Sequence, residues 1–280
     1  MHISPYENNN RAIVDIENAV VPHNYFNIVK LKKGENFEDQ ISGYECCIVP
    51  ATGTVDITVC GENFEAIGGR VKDVWGGEPE CVYIPSSQKF IIRCMSDTCE
   101  IFIAGAKFED VLEPFSVRSQ DIDLVQYGSD ETKTHRKIKH LLGQKQNNQV
   151  GRLLVSELFT VGSGGWSGFP SHKHDTDRLP YETKHDETYN FRFRPNHGCA
   201  LQMLQLDRDK VGNAFHILNG STFCISGGYH PVCALPGYEM YYFTILGGYS
   251  QRPLVQYFQP DHEYQVDLIP GIKDMINKFK

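Results

Sequence analysis

Apolar residues in this chain recur at every second position in short runs. The runs are bounded by glycine, proline, asparagine and serine, a pattern that predicts half-buried strands rather than helices. In the first half an apolar run opens at Tyr44, residues 50–53 (Pro-Ala-Thr-Gly) read as a turn, and Val55, Ile57 and Val59 then alternate. Residues 61–63 turn the chain again, and Phe64 opens another strand. Residues 80–106 repeat the scheme as strand, Pro-Ser-Ser turn, strand, Ser-Asp turn, strand. Between about 115 and 149 the alternation dissolves into charged and polar residues. This stretch reads as a connection with one short helix near Arg136–Leu142. The strand rhythm returns from Gly151. The run ETYNFRFRP from Glu187 is followed by HGCALQMLQLD, which reads as its antiparallel neighbour, and residues 214–248 add three more strands. The end of the chain, GIKDMINKFK, has helical spacing. These elements predict an all-β protein with few short helices. The two halves, 1–125 and 126–280, share one style, as a duplicated sandwich or barrel unit would.

Charge narrows the function. The net charge is −8, and no basic patch is present that would neutralise a phosphate backbone, so nucleic acid is not an expected partner. The basic stretch at 133–145 is short and reads as a solvated linker. No apolar run reaches the length of about 18 residues that spans a bilayer, and the N-terminal stretch lacks a signal-peptide core. The nine cysteines form no Cys-x-x-Cys pair. They read as reduced, buried thiols, which implies a cytoplasmic protein.

The chemistry concentrates in the second half. His172 and His174 are two residues apart, so on a strand both imidazoles project from one face and suit a divalent cation. A His-x-His pair alone is common on surfaces. Two further residues strengthen it: Glu187, which opens an alternating strand expected to pair with the histidine strand, and His230, set between a glycine turn and a proline. Three imidazoles and one carboxylate make a four-ligand set with room for water or substrate. His185 and Asp186 compete with Glu187, as do Asp175 and Glu182. Glu187 is preferred because it begins the regular alternation, and His185 is expected to face solvent. His2, His23, His135, His140, His197, His216 and His262 have no partner pattern and read as structural or surface residues.

In this arrangement His172, His174, Glu187 and His230 resemble the metal ligands of the cupin superfamily, which implies tandem jelly-roll-like barrels. Cupins usually place only a few residues between the second His and the Glu, whereas twelve residues, 175–186, lie between them here. That insert, with HKHD, the later ETY, GYHPV, PGYEMYYF and the earlier GGW, is similar to the 5-deoxy-glucuronate isomerases of myo-inositol catabolism. The likeness extends to IGGR and CVYIP in the first half, where no histidine occurs between His23 and His135, which implies a first barrel without metal ligands. The chain departs from the family pattern at Asn190 and Phe191, at Met203 and at Thr244. None of these is a metal ligand.

The resemblance implies an aldose–ketose isomerase converting 5-deoxy-glucuronate to 5-dehydro-2-deoxy-gluconate through an enediol stabilised by one divalent ion, zinc first and manganese or iron next. Glu187 and Tyr189 are the candidate bases, with Tyr229 and Tyr242 behind them. Lys173, Arg178 and Arg192 are the candidates for the substrate carboxylate. On regular strands Lys173 and Arg192 would point away from the ligands, while Arg178 lies on the insert, a candidate lid. An isomerase of 4-deoxy-5-keto-uronate, an iron dioxygenase and a non-catalytic sugar-binding cupin are the rival readings. Exposed sheet edges make a homo-oligomer plausible.

Overall fold

The computed structural model describes residues 1–278, and the last two residues of the terminal helical segment lie outside them. The described chain is almost entirely β, with three short 3-10 turns and one helix, Ile272–Asn277.

The first half is built around one long strand, Tyr44–Val59. Its beginning pairs with Thr98–Lys107 and Cys81–Ile84, and its end pairs with Glu62–Arg70 and Phe90–Cys94. The strand therefore passes from one sheet into another. The expected turn at 50–53 is instead a bend within it, marked by register shifts at Pro50/Thr52 and Gly53/Thr54. Gly53 makes the bend possible. Its φ is +82°, and a Cβ there would meet Ser96 Oγ at 2.5 Å. The two-residue turn Cys60-Gly61, both at positive φ, then closes the hairpin to Glu62. Between the two sheets lie Val29, Leu31, Ile48, Ile57, Ile67, Phe90, Ile92 and Ile101, all buried.

The second half has a seven-stranded sheet in the order His2–Ile3, Thr222–Ile225, His185–Arg194, Glu239–Gly248, Leu153–Thr160, Arg136–Leu142, Asp123–Tyr127. The first strand of the chain thus completes the sheet of the second half. Opposite it stands a four-stranded sheet, Gly165–Ser167, Val232–Ala234, Cys199–Leu204, Asn213–Leu218. Two expected pairings are corrected. Cys199–Leu204 is not the neighbour of His185–Arg194, because the intervening turn carries the chain across to the opposite sheet. The histidine strand His172–Lys173 pairs with Tyr257–Phe258 rather than with the Glu187 strand. Arg136–Leu142 is a strand, not a helix, and lies between Asp123–Tyr127 and Leu153–Thr160. Two of its three charges are buried, which is why polarity misled: Arg136 faces the interior, and Lys139 donates to the Gly77 carbonyl at 2.6 Å. The cysteine expectation also needs correction, since Cys60 is exposed and Cys199 and Cys233 are half-buried.

The halves pack sheet against sheet through a shared core. Phe26, Val49, Phe102 and Ala104 from the first meet Val155, Phe159, Tyr241 and Phe243 from the second, with the Phe102 and Phe243 ring centroids 5.0 Å apart. Alternation explains the division of labour along Glu239–Gly248: Tyr241, Phe243 and Ile245 face the first half, whereas Met240 and Tyr242 face the interior of the second. Buried polar groups fix the register of the two halves. The Glu45 carboxylate accepts from the backbone N–H groups of Gly151, Arg152 and Leu153 at 2.8, 2.5 and 2.7 Å. Arg70 donates to both oxygens of Glu157 at 2.8 and 3.0 Å.

Burial lowers the pKa of His140, whose Nδ1 lies 2.8 Å from Ser156 Oγ, to about 4. The folded chain thus binds fewer protons there than the unfolded chain, whose imidazole titrates near 6.5. Stability is fully present above that value and falls as pH drops toward 4, by up to about 3 kcal/mol. The melting temperature of the wild type is expected to fall over this window more steeply than that of His140→Gln. Parallel profiles would contradict the assignment.

Candidate metal centre

His172 stands on a two-residue strand, His174 just beyond it, Glu187 near the start of His185–Arg194, and His230 after the Gly227-Gly228 turn. These separate segments bring the three imidazoles together: each offers a nitrogen, and these atoms all lie within 4.8 Å of one another. Three backbone carbonyls set the tautomers. Nδ1 of His172 faces the Pro170 carbonyl at 3.1 Å, that of His174 the His185 carbonyl at 3.1 Å, and that of His230 the Gly228 carbonyl at 2.7 Å. A carbonyl only accepts, so each Nδ1 carries the proton and each Nε2 presents a lone pair. Glu187 Oε2 then sits 3.0 Å from Nε2 of His174 and 3.1 Å from Nε2 of His230.

Lone pairs and a buried carboxylate at these separations repel one another unless positive charge lies among them. The protonation shifts express the same demand. Burial, then the neighbouring His230 and His174, press the pKa of His172 well below the ordinary imidazole value. Burial also works against protonating His174, yet the Glu187 carboxylate beside it raises its pKa. Burial alone would lift Glu187, but the adjoining His174 and His230 rings hold it well below the usual carboxylate range, as positive charge at this point would. Neutral imidazole nitrogens with one carboxylate oxygen are a donor set that fits Zn, Mn or Fe.

The competing residues are drawn elsewhere. His185 is fully buried rather than solvent-facing, with its Nε2 on the Arg252 carbonyl at 3.0 Å. Asp186 points to the opposite face of its strand and accepts from the His23 backbone N–H at 2.9 Å. Asp175 accepts from the Gly228 backbone N–H at 2.9 Å, tying the insert to the turn that carries His230. Glu182, fully buried, organises the insert by accepting from Lys173 at 2.9 Å, from Arg178 at 2.8 Å and from the Asp175 backbone at 2.9 Å.

Lys173 is therefore held within the insert. Arg178 rests over the Tyr257 ring at 4.1 Å from its centroid, with its charge on Glu182. Arg192 lies on the other face of its strand, 3.1 Å from Glu100 of the first half. None of the three lines the cavity beside the histidines, whereas Glu187, Tyr189 and Tyr242 do. Tyr229 is buried outside it.

The cavity holds one cation that the sequence did not single out. Arg136 is buried, with Nη1 donating to Ser167 Oγ at 2.8 Å and Nη2 to the Phe169 carbonyl at 3.1 Å and to the Tyr127 hydroxyl. Its plane lies 4.7 Å from the Tyr127 ring centroid, and among the described residues no carboxylate pairs with it. The alternation of Arg136, Ile138 and His140 was the available signal.

Three histidines and a glutamate thus converge between the two sheets of the second half, as a candidate metal centre. The chain matches the KduI/IolB family over residues 2–265 and belongs to that family. Curated relatives named 5-deoxy-glucuronate isomerase include one from Geobacillus kaustophilus, 29% identical over 94% of this chain and 93% of its own length. Another, from Bacillus licheniformis, is 31% identical over 85% and 86%. Among solved structures, an IolB-like protein from Salmonella typhimurium LT2 superposes with a TM-score of 0.85 at 25% identity, covering 94% of this chain and 98% of that one. A Bacillus subtilis oxalate decarboxylase shares the fold at 11% identity, with a TM-score of 0.65, 100% of this chain and 86% of that one being covered.

Proposed function

We propose that this protein is a metal-dependent aldose–ketose isomerase that converts 5-deoxy-glucuronate to 5-dehydro-2-deoxy-gluconate, the activity its curated relatives are named for. The observation that carries the reading is the convergence of the imidazoles of His172, His174 and His230 with Glu187, beside an interior cavity that His172, His174 and Glu187 line. His172, His174, His230 and Glu187 would hold a divalent cation, zinc by preference, which would supply Lewis-acid charge against negative charge on the substrate oxygens.

The chain's own residues handle the proton. Burial, then the Glu187 charge, push the Tyr189 pKa well above its ordinary value, so Tyr189 keeps its phenolic proton and serves as a donor to the substrate oxygen. Glu187 is the carboxylate beside it: it takes the proton from the carbon next to the aldehyde and returns it to the aldehyde carbon, while Tyr189 recovers its proton from the neighbouring hydroxyl as the ketone forms. Phe169, Leu246, Leu254 and Phe258 line the same cavity and limit the water that would quench the enediol.

The fold reading that accompanies this function is two tandem cupin barrels, 1–125 and 126–280, with the first structural and the second catalytic. A cytoplasmic homo-oligomer acting on a small sugar acid completes it. No described helix is long and apolar enough to cross a membrane.

Purified protein supplied with 5-deoxy-glucuronate in deuterated water is expected to form the ketone with deuterium at the former aldehyde carbon, and to turn over 4-deoxy-5-keto-uronate far more slowly. Tyr189→Phe is expected to lower kcat by about 10²–10⁴-fold with bound metal unchanged. Turnover of neither sugar acid overturns the function, and an unchanged kcat in the variant overturns the role of Tyr189.

A further inference from the structure

We propose that Arg136 is the receptor for the substrate carboxylate, so that the sugar acid spans the cavity with its acid end on this guanidinium and its carbonyl end at the histidines. The inference rests on the isomerase reading and adds to it the orientation of the substrate and the basis of its selectivity for acids.

Arg136 is 2% exposed. A guanidinium so buried normally faces a carboxylate or has its donors filled. Arg70 faces Glu157 at 2.8 Å. Arg252 spends its donors on the carbonyls of Leu142, Gly143 and Leu153 and on Asn147. Arg136 has neither arrangement. Its partners are two hydroxyls and one carbonyl, all neutral, and its Nε is buried without any partner. Burial accordingly lowers its pKa, and the nearby Tyr242 and Tyr189 only partly offset this. The fold therefore holds a positive charge that lacks its anion.

The position of that charge identifies the anion. Arg136 shares its cavity with His172, His174 and Glu187, and Glu187 is the one acidic residue lining it. Tyr189 and Tyr242 lie between the two ends. The Tyr189 ring is 6.5 Å from that of His230 and 4.7 Å from that of Tyr242, whose hydroxyl is 2.5 Å from the Ser167 oxygen that Arg136 also holds. The proposed substrate has the same polarity, with its reacting aldehyde at one end of a six-carbon chain and its carboxylate at the other. A planar fork offers a carboxylate two parallel hydrogen bonds, which an ammonium does not.

The test uses two ligands that are not turned over: the alditol acid formed by reducing the aldehyde of 5-deoxy-glucuronate, and its uncharged methyl amide. Binding is measured by calorimetry on metal-loaded full-length protein, with metal content and circular dichroism recorded for each variant. The wild type is expected to prefer the acid by about 100-fold, and Arg136→Gln to lose that preference while amide binding and metal content stay unchanged. Arg136→Lys is expected to retain part of it. If the Arg136 variants do not fold, Ser167→Ala, which frees Nη1 without removing the charge, is expected to weaken the acid several-fold and leave the amide unaffected.

A folded, metal-loaded Arg136→Gln protein that still prefers the acid overturns the proposal, as does an unchanged acid affinity in Ser167→Ala. The two readings fail separately. An Arg136-dependent preference in a protein that does not isomerise 5-deoxy-glucuronate removes the reaction and keeps the anion receptor. Isomerisation with a preference indifferent to Arg136 does the reverse.

Discussion

Alanine at His174 is expected to lower isomerase turnover by on the order of 10³-fold or more and to leave the protein with far less than one metal ion per chain. His174 sits between two fixed points: its Nδ1 is pinned by the His185 carbonyl and its Nε2 meets Glu187 at 3.0 Å. Removing the ring deletes one of the four proposed ligands and takes away a neighbour that helps to hold Glu187 ionised. The fold should survive, because His174 lies past the end of a two-residue strand and outside the apolar clusters of both halves. His197→Ala is the matched control, since that ring is exposed and meets Tyr238 edge-on, away from the other histidines. Equal metal and equal turnover in the two variants would contradict the ligand assignment.

The second large effect concerns the join between the halves. Arg70→Met is expected to cost about 3–5 kcal/mol of stability, because it leaves the fully buried Glu157 carboxylate with the Tyr241 hydroxyl at 3.0 Å and no paired cation. For a chain of this size that corresponds to a fall in melting temperature of about 10 °C. The double variant Arg70→Met, Glu157→Gln is expected to recover much of the loss, since it removes the stranded charge as well as its partner. Thermal melts of the single and double variants decide the matter. A single variant that melts within about 2 °C of the wild type would show that this pair does not hold the halves together.

The four residues that converge were legible in the sequence because each carries a local mark: His-x-His, a carboxylate opening an alternating run, and a histidine between glycine and proline. The β character was legible from period-two alternation in both halves. Strand partners were not. In a fold where successive strands change sheets, the chain crosses at turns such as 195–198, and nothing local distinguishes a crossing from a hairpin. Arg136–Leu142 was hidden for another reason. Arg136 faces a cavity and Lys139 a buried interface, so composition pointed to solvent where geometry points inward. The insert misled in the same way. Its charged residues read as solvent-exposed, yet Glu182 within it has no exposed surface and gathers Lys173 and Arg178 onto itself. Arg192 illustrates the converse, since the alternation that aims Glu187 and Tyr189 into the cavity aims Arg192 at Glu100.

The most direct test is elemental analysis of the purified protein across a metal titration, with isomerase turnover followed on the same samples. Activity rising in proportion to one divalent ion per chain, vanishing on chelation and returning on reloading, is the expected result. Full turnover in protein stripped of metal would contradict a catalytic ion shared by His172, His174, Glu187 and His230.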